Sequence, residues 1–230
     1  MSKFINIAID GPAGAGKSTI AKAIAKKKKY IYLDTGAMYR SFALYLLKNG
    51  FDLSQKDSAE YLQAMVDKYL DSFELDVAYD ENGQRVIVNG EDYTGSIRTP
   101  DVTAVSSTVA SVPALRLKLV ELQRIIASKN NVVMDGRDIG TYVLKDATVK
   151  IFLTATAEER AKRRYDELVA SGSDVSYDKI YADMVERDRF DSSRAMAPLK
   201  CADDAVKVDS TDMSLEEVID YILNITEAKI

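Results

Sequence analysis

The sequence predicts an α/β protein built on a five-stranded parallel sheet flanked by helices. Three observations carry that expectation. Five short runs have strand character: Phe4–Ile9, Tyr30–Leu33, Asn131–Asp135, Val149–Thr154 and Ala205–Asp209. Helical patterns separate them, as the crossover helices of a wound parallel sheet do. At 230 residues, 47% hydrophobic and 29% charged, the chain suits one sizeable domain with room for an insertion and has an ordinary globular composition.

The first run is apolar and isoleucine-rich, like a buried strand. It leads into Gly11-x-x-x-x-Gly16-Lys17-Ser18, which satisfies G-x-x-x-x-G-K-[ST] at every fixed position. Glycines there let successive N–H groups point inward at phosphate oxygens. Lys17 reaches the β/γ-phosphates, and the Ser18 hydroxyl is a Mg²⁺ ligand. Gly11, Pro12, Ala13, Gly14, Ala15, Gly16, Lys17, Ser18 and Thr19 are therefore the candidate nucleotide cradle. An ordinary glycine turn would not need strand, loop and helix in this order. In "TIAKAIAKKKK", Ile20 and Ile24 lie one turn apart, so a helix N-terminus also faces the anion. The lysines at 26–29 complement the dipole at the end of that helix.

After the second run, "DTGAMYR" opens a helix that ends near Gly50 and carries Met38, Phe42 and Leu46 on one stripe. From Phe73 to Tyr93 the residues alternate and include two Asn-Gly pairs, the vocabulary of antiparallel hairpins. A small meander is thus inserted, either as surface decoration or as part of the site. Pro113 starts a longer helix with Leu115, Leu119, Leu122 and Ile126 at helical spacing. "DGRDIGT" follows the third run. Thr156-x-x-Glu159 and Ser214-x-x-Glu217 read as capping boxes.

Ligands of open α/β sheets bind at the carboxyl ends of the strands, so Arg40 and Arg137 are expected near the glycine loop, where a second anion would explain them. Six of the 12 arginines fall within residues 160–194. Arginine binds phosphate through a planar fork, so this segment reads as a lid over the transferring phosphates. Arg160 and Arg164 share a helix face and are the candidates for that work, whereas Arg163 reads as a solvated pair.

A net charge of −5 argues against a nucleic-acid partner, which calls for a basic excess. No apolar run approaches the ~18 residues of a membrane span. "MSKF" leaves no room for a secretory segment. The single Cys201 excludes an internal disulfide and fits a reducing compartment, so a cytoplasmic protein is expected. With no histidine in the chain, histidine base or ligand chemistry is excluded.

Seven segments in order, "IAIDGPAGAGKST", "LDTGAMYR", "SIRTPDV", "MDGRDIGT", "KIFLTATAEERAKRR", "ERDRFDSSRAMAPL" and "KVDST", resemble the bacterial cytidylate kinases over essentially the whole chain. The resemblance implies a P-loop NTPase fold of the nucleoside monophosphate kinase type. It would be a single domain with a core, a monophosphate-binding β insertion at about 67–98 and a helical lid at about 157–189. It implies ATP as phosphoryl donor, Mg²⁺, and CMP and dCMP as acceptors. The expected protein is a monomer without nucleic-acid or membrane partners. By motif match, Thr35, Arg40, Ser107, Arg116, Arg137, Asp138, Arg187, Asp191 and Arg194 fall on the acceptor site. Thr35 keeps a hydroxyl where the family has serine. Lys17, Arg160, Arg164 and Arg187 would supply catalytic charge.

These roles make physical sense. Cytosine presents an amino donor at N4 that Asp138 would accept, and Ser107 and Arg116 would donate to its acceptors. Arg187, Asp191 and Arg194, four and three residues apart, would share one face and grip sugar and phosphate. Asp135 reads either as a holder of a Mg²⁺-bound water or as a strand-end turn residue. Two rival readings are a nucleotide-dependent switch, which needs no second anion site and for which no Asn-Lys-x-Asp segment is evident, and a kinase acting on a small hydroxyl, which would want a base.

Overall fold

The computed structural model describes residues 4–81 and 83–230. In chain order its elements are β1 (Asn6–Asp10), α1 (Lys17–Lys28), β2 (Ile31–Asp34), α2 (Thr35–Lys48), α3 (Ala59–Tyr69), β3 (Leu75–Asp80), β4 (Gly83–Val88), β5 (Glu91–Asp92), α4 (Pro100–Val109), α5 (Pro113–Lys129), β6 (Val132–Gly136), β7 (Val149–Thr154), α6 (Ala157–Ala170), α7 (Tyr177–Ser193), β8 (Val206–Asp209) and α8 (Leu215–Lys229). A 3₁₀ turn at Leu53–Gln55 and a π-helical turn at Ile139–Val143 complete the list.

The five predicted strands form one parallel sheet in the order β2-β6-β1-β7-β8. Its centre is fixed by register: Ile7 and Ile9 of β1 face Val133 and Asp135 of β6 on one side and Val149 and Ile151 of β7 on the other. A central strand has both faces covered, which is why β1 is buried at all five positions. The meander forms a separate antiparallel sheet, β3-β4-β5. Asn89 and Gly90 link Val88 to Glu91, both at positive φ as a type I′ turn requires. In the other Asn-Gly pair, Asn82 lies outside the described residues.

The chain divides into two compact units, one of Met1–Tyr32 with Ala127–Ile230 and one of Leu33–Ile126. The first has a core of Ile7, Ile9, Ile20, Ile24, Val133, Ile151, Leu153, Val218 and Ile222. Lys26, Lys27 and Lys28 close α1, and two of them pair with Asp220 and Glu227 of α8. In the second unit the Met38, Phe42 and Leu46 stripe is fully buried, and the Phe42 and Phe73 rings meet edge to face at 4.9 Å.

Three local expectations need adjustment. The Ser214 capping box closes in both directions, but at Thr156 only the hydroxyl accepts Glu159 N, because the Glu159 carboxylate turns to Arg163 at 2.9 Å. On α5, Leu115 and Leu119 are buried, yet the deep face then runs through Gln123 and Ala127, leaving Leu122 and Ile126 half-buried. Two helices were not anticipated: α3, capped by Ser58, and α4, capped by Thr99 with Pro100 in its first turn. Thr-Pro-Asp is a helix start by residue type, but neither helix carries a long apolar stripe.

Candidate active site

In the unit built on β1, the loop from Gly11 to Gly16 takes the curl its glycines allow. A Cβ on Gly11 would lie 1.9 Å from the Leu153 carbonyl oxygen. Gly14 has φ +72°, and a Cβ there would lie 2.4 Å from Cε of Met184 on α7. Lys17 is 6% exposed and donates to the Pro12 carbonyl at 2.6 Å. Burial pushes its ammonium well below the usual range. Arg137 and Arg187 push the same way, while Asp135 and Asp10 oppose them. With burial and two guanidinium groups acting against the ammonium and two carboxylates acting for it, a bound polyphosphate would add counter-charge that favours it.

Beside the loop, Ser18 donates to one oxygen of Asp135 at 2.7 Å and Tyr32 to the other at 2.9 Å. A hydroxyl and a carboxylate are the hard oxygen donors that suit Mg²⁺.

Helices α6 and α7 seat on the same loop. Asp188 accepts Ala13 N at 3.0 Å and Arg160 at 2.6 Å. Arg160 also donates to the Ala13 and Ala155 carbonyls at 2.8 and 3.0 Å. Ala13, Ala161, Ile180 and Met184 form a small apolar core under this clasp. Arg163 bonds Glu159 and the Ser210 carbonyl. Arg164 is half exposed and pairs with Glu167 at 2.6 Å.

The C-terminal part of α7 gathers the next predicted group. Asp191 accepts Arg137 Nε at 2.8 Å through one oxygen and the Arg194 guanidinium through the other. Burial pushes the Asp191 carboxyl up, but Arg137, Arg194 and Arg187 outweigh it and hold the group below its usual range. Asp138 is buried at the start of the π-helical turn that follows Arg137.

In the other unit the organising residue is Asp34. It caps α2 by accepting Ala37 N at 2.8 Å, and it accepts Arg40 at 3.0 Å and Arg98 at 2.8 Å. Burial favours its protonation, but the two guanidinium groups keep it below the ordinary carboxylate range. Gly36 makes room for this fold-back, since a Cβ would lie 2.9 Å from Arg40. Gln84 of β4 pins the Asp34 backbone, accepting its N–H at 2.6 Å and donating to its carbonyl at 3.3 Å. Thr35 is buried beside it. Ser107 donates to the Thr103 carbonyl at 3.2 Å. Arg116 donates twice to the Ala110 carbonyl and lies over the Tyr39 ring.

Each unit therefore presents its own cluster of arginines around a buried carboxylate. Sequence reasoning did not assign Asp34, Gln84, Arg98, Asp188 or Asp10 to these clusters. Arg98 lies inside "SIRTPDV", a segment already singled out, and Asp34 stands at a strand end before a glycine. Nothing in the spacing of Asp188 or Gln84 would have marked them.

A family model described as cytidylate kinase matches residues 7–228. The cytidylate kinase of Bacillus subtilis is 45% identical over 229 residues, covering 100% of this chain and 99% of that protein. The cytidylate kinase of a Geobacillus species is 47% identical over 230 residues, covering 100% of both. Among solved structures, an uncharacterized protein from Eubacterium ventriosum superposes with a TM-score of 0.52 at 15% identity, covering 98% of this chain and 99% of that one, a likeness of fold alone. Matched over nearly its whole length, the chain belongs to the cytidylate kinase family and is a nucleoside monophosphate kinase.

Proposed function

We propose that the protein transfers the γ-phosphoryl group of ATP directly to CMP and dCMP, giving ADP and the diphosphates. The observation that carries this reading is the buried Lys17 ammonium, held against the glycine loop by its bond to the Pro12 carbonyl at 2.6 Å. That charge is placed to meet phosphates that repel one another as they approach in line. The loop residues 11–19 hold the donor. Helices α6 and α7 form the lid, and the β3-β4-β5 sheet forms the acceptor-side insertion. Arg187 neutralises charge beside Lys17. Arg164 exchanges Glu167 for phosphate when the lid closes, and Arg160 acts from behind the loop by gripping Ala13.

Ser18 and Asp135 fit Mg²⁺, with Ser18 as ligand and Asp135 holding a bound water. When bound, the ion would offset charge on the β- and γ-phosphate oxygens. On the acceptor side, the monophosphate and sugar fall to Arg40 and Thr35 of one unit and to Arg137, Asp191 and Arg194 of the other. Asp138 accepts from the cytosine amino group while Ser107 and Arg116 donate to its acceptors. Uracil would turn an oxygen toward Asp138, and a site built on such bonds rejects the wrong base by as much as ~10⁴-fold. The acceptor phosphate has a second pKa near ~6 by analogy with phosphoamino acids. It is ionised at neutral pH and needs no general base, in keeping with a chain that contains no histidine.

A coupled assay of ADP formation with CMP, dCMP, UMP, AMP and GMP tests the reading. The expected result is turnover with the two cytidylates far above the rest, and a smaller CMP preference in Asp138→Ala. Equal rates with all acceptors would remove base recognition. Nucleotide binding without any ADP release would remove phosphoryl transfer.

A further inference from the structure

Asp10 ends β1 and stands immediately before Gly11, the first residue of the donor loop. Its carboxylate is 4% exposed and reaches the segment that follows β6. One oxygen accepts Ile139 N and the other accepts Gly140 N, both at 2.7 Å. Those two amides open the π-helical turn Ile139–Val143, and the first N–H groups of a helical turn have no partner within it. Asp138 occupies the capping position, yet its side chain makes no capping bond. Its carbonyl instead accepts Tyr142 N at 2.8 Å and Val143 N at 3.1 Å. The cap is supplied from another strand.

The same contact explains Gly140. A Cβ there would lie 3.3 Å from Asp10 Oδ2 and 3.2 Å from Cδ of Lys150. Lys150 is held in turn by a two-pronged pair with Asp204 at 2.7 and 2.9 Å. The turn is pinched between a carboxylate and a lysine stem, and the two residues that enter it are Arg137 and Asp138.

We infer that Asp10 is a positioning residue for acceptor recognition: by holding the Ile139 and Gly140 amides it fixes where Arg137 and Asp138 present their side chains. It does so from the end of β1, immediately before the loop that holds the donor. The inference rests on the proposed acceptor roles of Arg137 and Asp138. Burial pushes the Asp10 carboxyl up to about 6, against the pull of the Gly140 and Ile139 amides. A neutral side chain is therefore tolerable there on charge grounds. What an amide loses is geometry: Asn keeps one acceptor and sets an NH₂ against a backbone N–H.

The experiment compares Asp10→Asn, Gly140→Ala and the double variant, measuring KM for CMP, UMP and ATP. Each single variant should raise the KM for CMP about tenfold, the scale of one buried amide left unpaired, while the KM for ATP stays within about twofold. The double variant should be no worse than the more severe single, because both changes act on one contact. Gly140→Ala leaves the acid in place and supplies the same readout if Asp10→Asn does not fold. Asp138→Ala, run in parallel, separates the two claims. If it keeps the wild-type preference for CMP over UMP, base reading by Asp138 fails, while the role of Asp10 is still judged by the CMP-against-ATP split of its own variants. A rise in the KM for ATP with that for CMP unmoved, or additive losses in the double variant, overturns the inference.

Discussion

Asp191→Asn removes one charge from the middle of the Arg137–Asp191–Arg194 cluster and keeps its shape. The carboxylate is 1% exposed and accepts from both guanidinium groups. An amide retains one acceptor oxygen and points an NH₂ at the other arginine, so one charge-assisted bond goes and a donor faces a donor. Such bonds contribute about 1.5–3 kcal/mol each, and breaking a buried ion pair by neutralising one partner costs ~3–5 kcal/mol. The two arginine side chains are 18% and 8% exposed, so solvent screening trims little. Because one bond survives, the expected loss is about 3 kcal/mol, or roughly 6–12 °C in Tm for a chain of this size.

The pH dependence fixes the sign. Although burial favours protonation, the three arginines hold the folded-state pKa of Asp191 below its usual value. A depressed acid contributes stability that is present above its unfolded pKa of ~3.9 and is lost as pH falls through the folded value. Urea unfolding of wild type and variant should therefore show the full gap at pH 7 and a closing gap below about pH 4. A difference under ~1 kcal/mol at pH 7, or one that widens toward acid, would refute the reasoning.

Other outcomes follow from the same geometry. Lys17→Met should abolish ADP formation yet melt no lower than wild type in differential scanning fluorimetry, because the buried ammonium is a disfavoured charge. Gly14→Ala should cost about 1–3 kcal/mol in urea, from positive φ and the approach to Met184, and Gly14→Ala with Met184→Ala should cost less than the two single changes added together. The Asp10 carboxyl is raised from 3.8 to about 6. The folded state then binds the proton more tightly, so stability falls as pH rises through that window, by roughly 3 kcal/mol. Between pH 4 and 6 wild type should lose stability relative to Asp10→Asn, and parallel curves would exclude this. Ser18→Ala should weaken Mg²⁺-dependent ATP binding measured by calorimetry more than binding of ATP without the metal.

The parallel sheet and the glycine loop were legible in the sequence because their signals are local. Val149–Thr154 matches its strand at both ends, Ala205–Asp209 shifts by one residue at its start only, and the other three shift by one or two residues at each end. The Asn89-Gly90 turn was readable because few residues take two positive φ angles in succession. Helices α3 and α4 were not foreseen, since their caps are clear but their apolar faces are short. The Thr156 box half-fails because Arg163, one turn along, competes for Glu159.

The sequence by itself determined the succession of the five parallel strands, the anion-binding loop and which arginines were candidates for phosphate. Those properties depend on residue type and spacing along the chain. Only the tertiary structure decided which carboxylate each arginine meets: Asp34 for Arg40 and Arg98, Asp191 for Arg137 and Arg194, Asp188 for Arg160. It alone gave Asp10 its pairing with amides 129 and 130 positions away. The physical reason is that a side chain's partner and its burial are set by how strands pair and helices pack. Pairs so distant in sequence leave no periodicity in the chain to read.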